Sequence, residues 1–182
     1  MPTDANTALR AREFALVKGY VTRLFDPARP ALHGPLHWRR VNKFGRRLAV
    51  HTGADVAVVC LFAWFHDAYR EDDGDDPDHG RRAAMAVDAL HGDLFHLSTD
   101  ALEKLRYACA YHADGYVSSD ATIGTCWDAD RLDLGRVDIV PAPEFMSTAA
   151  ARRITELNLP RGATRGSAAQ FMGGLRKRRP TE

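Results

Sequence analysis

Apolar residues recur three and four positions apart along almost the whole chain, and this helical spacing leaves few folds open. The alternation of apolar and polar residues that marks half-buried strands is nearly absent. The length of 182 residues fits one domain of ordinary size. The sequence therefore predicts an all-α, single-domain bundle of six or seven helices over residues 1–160, followed by a basic, flexible tail over 161–182.

Capping residues and helix breakers give the expected limits of these helices. Asp100 with Glu103 resembles a capping box, and Gly115 ends the same helix. The seven expected helices run over about 7–25, from Pro35, from Asp55 to about Tyr69, over 79–90, from Asp100 to Gly115, from Asp120, and from Ser147 to about Leu157.

Composition excludes several classes of protein. The formal net charge of +1, from 25 basic and 24 acidic residues, is unlike that of a dedicated nucleic-acid-binding domain. Three dispersed cysteines, Cys60, Cys109 and Cys126, argue against a disulfide framework and against a cysteine zinc site. The longest apolar run, 56–65, is shorter than the roughly 20 residues of a membrane span. We therefore expect a cytoplasmic protein without membrane or nucleic-acid partners, and a homodimer stays open.

Polar side chains interrupt the apolar faces of the expected helices. His37, His66, His112 and Asp130 fall on core-facing positions, and Asp67 follows the most apolar helix. Burying an imidazole or a carboxylate alone costs several kcal/mol, whereas several such groups can share a cation. Imidazole and carboxylate ligands suit Zn, Mn, Fe or Ni. Each residue alone also has a simpler explanation, as a hydrogen-bonded core histidine, a helix cap or an arginine partner, so from periodicity both interpretations stay open.

The order of these residues resembles the HD superfamily of metal-dependent phosphohydrolases over about residues 10–155. A His-Asp dipeptide alone is a weak signal, but the preceding apolar helix, the upstream histidine and the downstream aspartate make the pattern specific. The matching segments are His37-Trp-Arg-Arg-Val41, Leu61-Phe-Ala-Trp-Phe-His66-Asp67-Ala-Tyr-Arg70, Asp78-His79-Gly80 and Asp128-Ala-Asp130-Arg131-Leu132-Asp133. The resemblance implies an α-helical bundle.

The resemblance also implies a metal site that holds one or two divalent transition-metal ions, of Mn, Fe, Co, Ni or Zn. Some members of the superfamily hold two metals, with the aspartate of the His-Asp pair bridging them and two further histidines completing the second site. His91 and His96 compete with His79 for the first of these additional places. The implied ligands are His37, His66, Asp67, His79, His112 and Asp130.

The resemblance suggests further catalytic residues beside Asp67. Arg131 is a candidate for a phosphate clamp, and Arg40, Lys43 and Arg70 are further candidates. An ordinary surface salt bridge is the competing interpretation for each. Glu71 is a candidate for activating water, although the superfamily usually places that acid one position earlier, so an acidic loop start is the alternative.

Three functions compete at this point. The first is hydrolysis of a small phosphorylated molecule, with nucleotides among the candidates. The second is oxidation of an organic substrate by a di-iron HD-type oxygenase, which gains support if His79 and His112 both bind metal. The third is a non-catalytic HD domain that binds a nucleotide as a sensor, against which the intact ligand set weighs. P-loop, dinucleotide-binding and zincin motifs are missing from the sequence.

Overall fold

A computed structural model describes residues 4–28, 32–139 and 141–158, and it confirms the predicted all-α fold. The predicted basic tail, 161–182, lies outside the described residues. The helices are α1 (Asp4–Leu24), α2 (Pro35–Thr52), α3 (Val56–Phe65), α4 (His79–Leu90), α5 (Thr99–Tyr111), α6 (Ala121–Leu132) and α7 (Ala149–Asn158), with short 3-10 helices at Asp133–Val137 and Pro143–Phe145.

Helix α3 forms the centre of the bundle. Its residues 58–65 are all buried, and it contacts α1, α2, α4, α5 and α6. Asp55 begins this helix by accepting the backbone N–H groups of Ala57 and Val58. Around it, α2 packs against α3 and α6 on one side, while α4 packs against α5 on the other. The His-Asp pair therefore emerges where the two sets of helices meet.

Helix α3 ends at Phe65, and the expected extension to Tyr69 is wrong. The N–H of Ala68 donates to the carbonyl of Phe65 at 3.1 Å, and that of Arg70 donates to the carbonyl of Asp67 at 3.3 Å. These bonds span three residues instead of four, so tight turns replace the α-helix directly after the apolar run. The His-Asp pair consequently lies at the end of the helix.

Two expected helix caps are also wrong by one or two positions. Ser98, and not Asp100, begins α5, because its hydroxyl accepts the N–H of Ala101. Thr148 begins α7, because its hydroxyl accepts the N–H of Ala151 at 3.2 Å. Ser147 instead donates its backbone N–H to Asp128.

The segment that leads into α7 is attached to α6 by two buried side chains. Asp128 accepts the backbone N–H groups of Ser147 and Thr148 at 2.7 and 2.8 Å. Arg131 donates from Nη1 to the carbonyl of Phe145 at 2.6 Å. Among the described residues, no helix combines the length and the apolarity needed to cross a bilayer.

Gly80 allows α4 to approach α5 closely. A Cβ atom at this position would lie 2.6 Å from the carbonyl oxygen of Cys109 and 2.9 Å from that of Ala110. No side chain larger than hydrogen fits there without moving one helix. This contact sets the distance between His79 on α4 and the end of α5.

Candidate metal centre

Three side chains from three parts of the core form what we term the first half-site: His37 on α2, His66 directly after α3, and Asp130 on α6. The two Nε2 atoms are 3.1 Å apart. Oδ1 of Asp130 lies 3.2 Å from Nε2 of His37 and 3.6 Å from Nε2 of His66. Both histidines are fully buried, whereas the Asp130 side chain is 20% exposed and opens the cluster to a cleft.

Two further histidines form the second half-site, His79 at the start of α4 and His112 directly after α5. Their Nε2 atoms are 2.9 Å apart. Asp67 lies between the half-sites, with Oδ1 3.4 Å from Nε2 of both His79 and His112. Its Oδ2 lies 3.4 Å from Nε2 of both His37 and His66. The two oxygens of one carboxylate thus face different pairs of histidines.

The four histidines are oriented from outside by acceptors near their Nδ1 atoms. These acceptors are Oδ2 of Asp133 for His37 (2.7 Å), and the carbonyls of Phe62 for His66 (3.2 Å), Asp76 for His79 and Cys109 for His112 (2.8 Å). A neutral imidazole that donates from Nδ1 presents the Nε2 lone pair to the centre. All four Nε2 atoms are therefore placed as ligands for a shared cation.

The charges of the cluster are strongly coupled. Burial disfavours the ionised form of Asp67, but the nearby His66, His112 and His37 hold its pKa well below the usual value. Burial likewise opposes ionisation of Asp130, yet the close His37 and His66 hold its pKa well below the usual value.

The histidines respond in opposite directions. Burial lowers the pKa of His37, but the carboxylates of Asp130, Asp133 and Asp67 outweigh it and raise this pKa to about 10. Burial, reinforced by the charge of His112, lowers the pKa of His79 to about 4. The first half-site therefore attracts positive charge strongly, and the second contains an imidazole that is neutral at ordinary pH.

The residues fit a metal ion. Ligand atoms that lie about 2.1 Å from one ion are about 3.0–3.4 Å from each other in octahedral or tetrahedral geometry, close to the distances within each half-site. Oδ1 of Asp67 is buried and accepts no well-formed hydrogen bond from the described residues, although such groups normally find a partner. A cation between the half-sites would satisfy this oxygen. The histidine and aspartate cluster could therefore hold metal.

Asp133 is a site residue that the sequence reasoning missed as a partner of His37. It is buried, and its second oxygen accepts the Nε–H of Arg40 at 2.6 Å. Arg40, a candidate phosphate contact by sequence, thus lies outside the cluster and holds Asp133. The spacing of Asp133 three residues after Asp130 was the available signal, because the chain turns into a 3-10 helix there.

Arg70 and Glu71 lie in different surroundings. Nη1 of Arg70 lies 3.5 Å from Oδ1 of Asp67 and 3.0 Å from Nε2 of His79, so the guanidinium reaches the cluster. The side chain of Glu71 is 77% exposed and lies 3.8 Å from Arg82. Because α3 does not continue, Glu71 is not carried onto the face that presents Asp67.

Other sequence candidates lie outside the cluster. His91 interacts with the backbone of Leu97, and His96 is exposed and lies 2.8 Å from Glu13. Lys43 is exposed on α2.

Arg131 is almost entirely buried. Its guanidinium lies 5.8 Å from the ring of Trp127, and its Nη2 has no hydrogen-bond partner within the described part of the chain.

A cleft of about 190 Å³ opens over the cluster. Arg70, Arg131 and Arg136 line it together with Asp67 and Asp130. Three guanidinium groups beside the carboxylates make this cleft suited to an anion.

Comparison with solved structures gives the fold family. A protein from an uncultured Thermotogales bacterium, described as a predicted HD superfamily hydrolase, aligns with 77% of this chain and 81% of its own length, at a TM-score of 0.62 and 23% identity. This chain has the HD-domain fold. A Lactobacillus plantarum protein aligns over 96% of each chain, at a TM-score of 0.57 and 17% identity. Neither a family model nor a curated protein matches the sequence of this HD-fold chain at a significant level.

Proposed function

We propose that this protein is a metal-dependent phosphohydrolase that acts on a small phosphorylated molecule. One observation carries the proposal: the carboxylate of Asp67 is shared by two pairs of histidines beside an arginine-lined cleft. The HD fold and the description of the Thermotogales protein support a hydrolase. Nucleotides remain candidates within this substrate class.

The proposed ligands are His37, His66 and Asp130 in the first half-site and His79 and His112 in the second, with Asp67 common to both. A bound transition metal lowers the pKa of water and offsets the negative charge that develops on a phosphoryl group. The four imidazoles favour Mn, Fe, Co, Ni or Zn over Mg²⁺, which prefers oxygen ligands.

The surrounding arginines bind and orient the phosphate in this proposal. Arg70 and Arg136 line the cleft and can donate to phosphate oxygens. Arg131 also lines the cleft, but its Nη1 donates to the carbonyl of Phe145 and its Nη2 is buried, so in this proposal it adds positive charge beside the phosphate. We assign Glu71 no step, because its side chain is largely exposed and near Arg82.

The reaction balances as a simple hydrolysis. Water forms a new bond from its oxygen to phosphorus, and the bond from phosphorus to the ester oxygen breaks. One proton of the water ends on the departing alkoxide, so the products are an alcohol and inorganic phosphate. The anionic carboxylates of the buried Asp67 and the partly exposed Asp130 can hold the water for in-line attack.

A second candidate function is a di-iron oxygenase. It is favoured by one observation, the proximity of both His79 and His112 to Asp67, which offers six ligands to two metals. A non-catalytic nucleotide-binding role explains less, because it gives no reason for two sets of imidazole lone pairs around one carboxylate.

The test is a metal and activity measurement on one preparation. Protein purified without oxygen is analysed for metal, stripped with a chelator and reloaded with Mn²⁺, Co²⁺, Ni²⁺, Zn²⁺ or Fe²⁺. We expect hydrolysis of p-nitrophenyl phosphate to disappear on chelation and to return with at least one of these ions. Absence of hydrolysis with every ion, together with oxygen consumption by the iron form, would favour the oxygenase.

A further inference from the structure

Arg70 is anchored by the backbone of the loop that follows it. Its Nε donates to the carbonyl of Asp72 at 3.1 Å, and its Nη2 donates to the carbonyl of Gly74 at 2.9 Å. The guanidinium is planar, so these two bonds fix the position of the third nitrogen, Nη1. Nη1 lies at the second half-site, 3.5 Å from Oδ1 of Asp67 and 3.0 Å from Nε2 of His79.

The position of Nη1 places a charge beside His79 without using its ligand lone pair. Nη1 is also 3.2 Å from Nδ1 of His79, so it is almost equally distant from the two ring nitrogens. A point in the plane of the ring at these distances would overlap a ring carbon, so Nη1 lies over the face of the imidazole. The Nε2 lone pair lies in the ring plane and is not directed at Arg70. Arg70 therefore adds positive charge next to the ligands of the second half-site and leaves them able to bind a cation.

The first half-site has the opposite charge beside its histidine. There the carboxylate of Asp133 lies 2.7 Å from Nδ1 of His37, whereas a guanidinium lies against His79 in the second half-site. Charges this close to each other near a protein surface change a binding equilibrium by about tenfold or more. A cation is therefore favoured beside Asp133 and disfavoured beside Arg70.

We propose that Arg70 controls the second half-site: its guanidinium keeps the affinity for a second metal ion low until an anion in the cleft offsets its charge. Arg70 lines that cleft together with Arg136. Nη1 is the nitrogen that the loop carbonyls do not hold, so it can donate to a phosphate oxygen. By linkage, the anion and the second ion then each raise the affinity for the other. This inference rests on the metal ligands and the phosphate cleft of the proposed function.

The test measures metal binding without any turnover of substrate. The full chain, stripped with a chelator, is titrated with Mn²⁺ in a calorimeter, which resolves a first and a second ion by their affinities. We expect Arg70→Gln, which removes the charge, to raise the affinity for the second ion about tenfold or more, and by a larger factor than that for the first. An unchanged or lower affinity for the second ion would overturn the inference.

The direction of this change separates the charge of Arg70 from its support of the loop. If Arg70 only held the loop before α4, its loss would loosen His79 and lower the affinity for the second ion. Arg70→Lys keeps the charge and should not show the rise. Arg106→Gln removes an equal charge from α5, where Arg106 pairs with Asp88 at 2.9 Å, and is the matched control. A rise as large in either of these variants as in Arg70→Gln would contradict the proposal.

Methylphosphonate, a phosphate-like anion without an ester bond, tests the dependence on an anion. We expect it to raise the affinity for the second Mn²⁺ by a factor about threefold or more larger in the unsubstituted chain than in Arg70→Gln, because only the former has a guanidinium charge to offset. An equal gain in both proteins would show that the anion acts through the metal alone, and the coupling to Arg70 would be wrong.

Hydrolysis of p-nitrophenyl phosphate, measured on the same preparations, separates this inference from the proposed function. Metal-dependent hydrolysis by the unsubstituted chain, with Mn²⁺ affinities that Arg70→Gln does not change, would overturn the inference and leave the phosphohydrolase proposal standing. Absence of hydrolysis with every ion would overturn the phosphohydrolase proposal, while the titrations would still decide whether Arg70 controls the second half-site.

Discussion

The first and second half-sites share Asp67 but are supported by different parts of the molecule. The first is formed by α2, the end of α3 and α6, and its two histidines are fully buried. The second is formed by the start of α4 and the end of α5, where the contact depends on Gly80. The first half-site is therefore fixed by the packing of the core, and the second by one contact between two helices and by the loop before α4.

The hydrogen-bond partners of the histidine Nδ1 atoms also differ between the two half-sites. Within the first half-site, His37 is held by the carboxylate of Asp133, which makes its imidazole a stronger ligand. In the second, both histidines are held by backbone carbonyls. The comparison indicates that the first half-site should bind metal more tightly and should fill before the second.

The largest expected effect comes from the residue that belongs to both half-sites. Asp67→Ala should remove both metal ions and lower hydrolysis about 1000-fold or more, because ligand and charge are lost together. Metal analysis and the rate with p-nitrophenyl phosphate measure this. Asp67→Asn, which keeps the shape, should also be severely impaired. Hydrolysis that persists in metal-free Asp67→Ala would contradict the shared site.

Removing one ligand of the second half-site should distinguish the metal content of that half-site from that of the first. His79→Ala should lower the metal content from about two ions towards one per chain, since the first half-site keeps its ligands. His96→Ala is the control, because His96 is exposed and pairs with Glu13. Equal metal loss in both variants would show general destabilisation. The same experiment with His37→Ala should cost more metal than His79→Ala.

Asp133→Asn tests the outer carboxylate. It keeps an oxygen near His37 but loses the charge that Arg40 balances, so metal affinity of the first half-site should fall about 10–100-fold. Titration with a metal-sensitive dye measures the affinity, and thermal unfolding of the metal-free protein checks that the fold is intact. An unchanged affinity would show that Asp133 serves folding alone.

The pH dependence of metal binding should differ between the half-sites. In the metal-free protein His37 has a pKa of about 10, so at neutral pH it carries a proton that an incoming ion must displace. Affinity of the first half-site should therefore rise with pH, by up to about tenfold per unit below pH 10. His79, with a pKa of about 4, is already neutral and adds no such dependence above that pH, so any dependence of the second half-site comes from His112, whose pKa Asp67 raises in spite of burial. Calorimetry in buffers of different ionisation enthalpy counts the released protons.

Much of the fold could be predicted because helices follow from local patterns. The apolar run, the cap at Asp55 and the breakers gave the number of helices and most of their limits. The early end of α3 could not be predicted, because the turns at 66–70 form where tertiary contacts hold the His-Asp pair. The true cap at Ser98 was missed because Asp100 offers an equally plausible pattern two residues later.

The candidate site could likewise be predicted from the sequence only in part. Inward-facing His37, His112 and Asp130 were detectable from periodicity, since a polar residue at an apolar position of the helical repeat can be recognised in the sequence. The role of Arg70 depends on which atoms meet across helices, and no spacing rule gives that. A cavity of about 300 Å³ beside Asp67 forms between the end of α1, α2 and the loop after α3, so only the three-dimensional arrangement reveals it.

The attachment of α7 to α6 determines how short a working chain can be. Every candidate ligand lies before residue 131, yet Asp128 and Arg131 flank Asp130 and take their partners from residues 145–148. A chain cut before residue 143 would keep all six ligands but leave a buried carboxylate and a buried guanidinium without partners, at a cost of several kcal/mol. The smallest autonomous unit therefore extends well past the last candidate ligand.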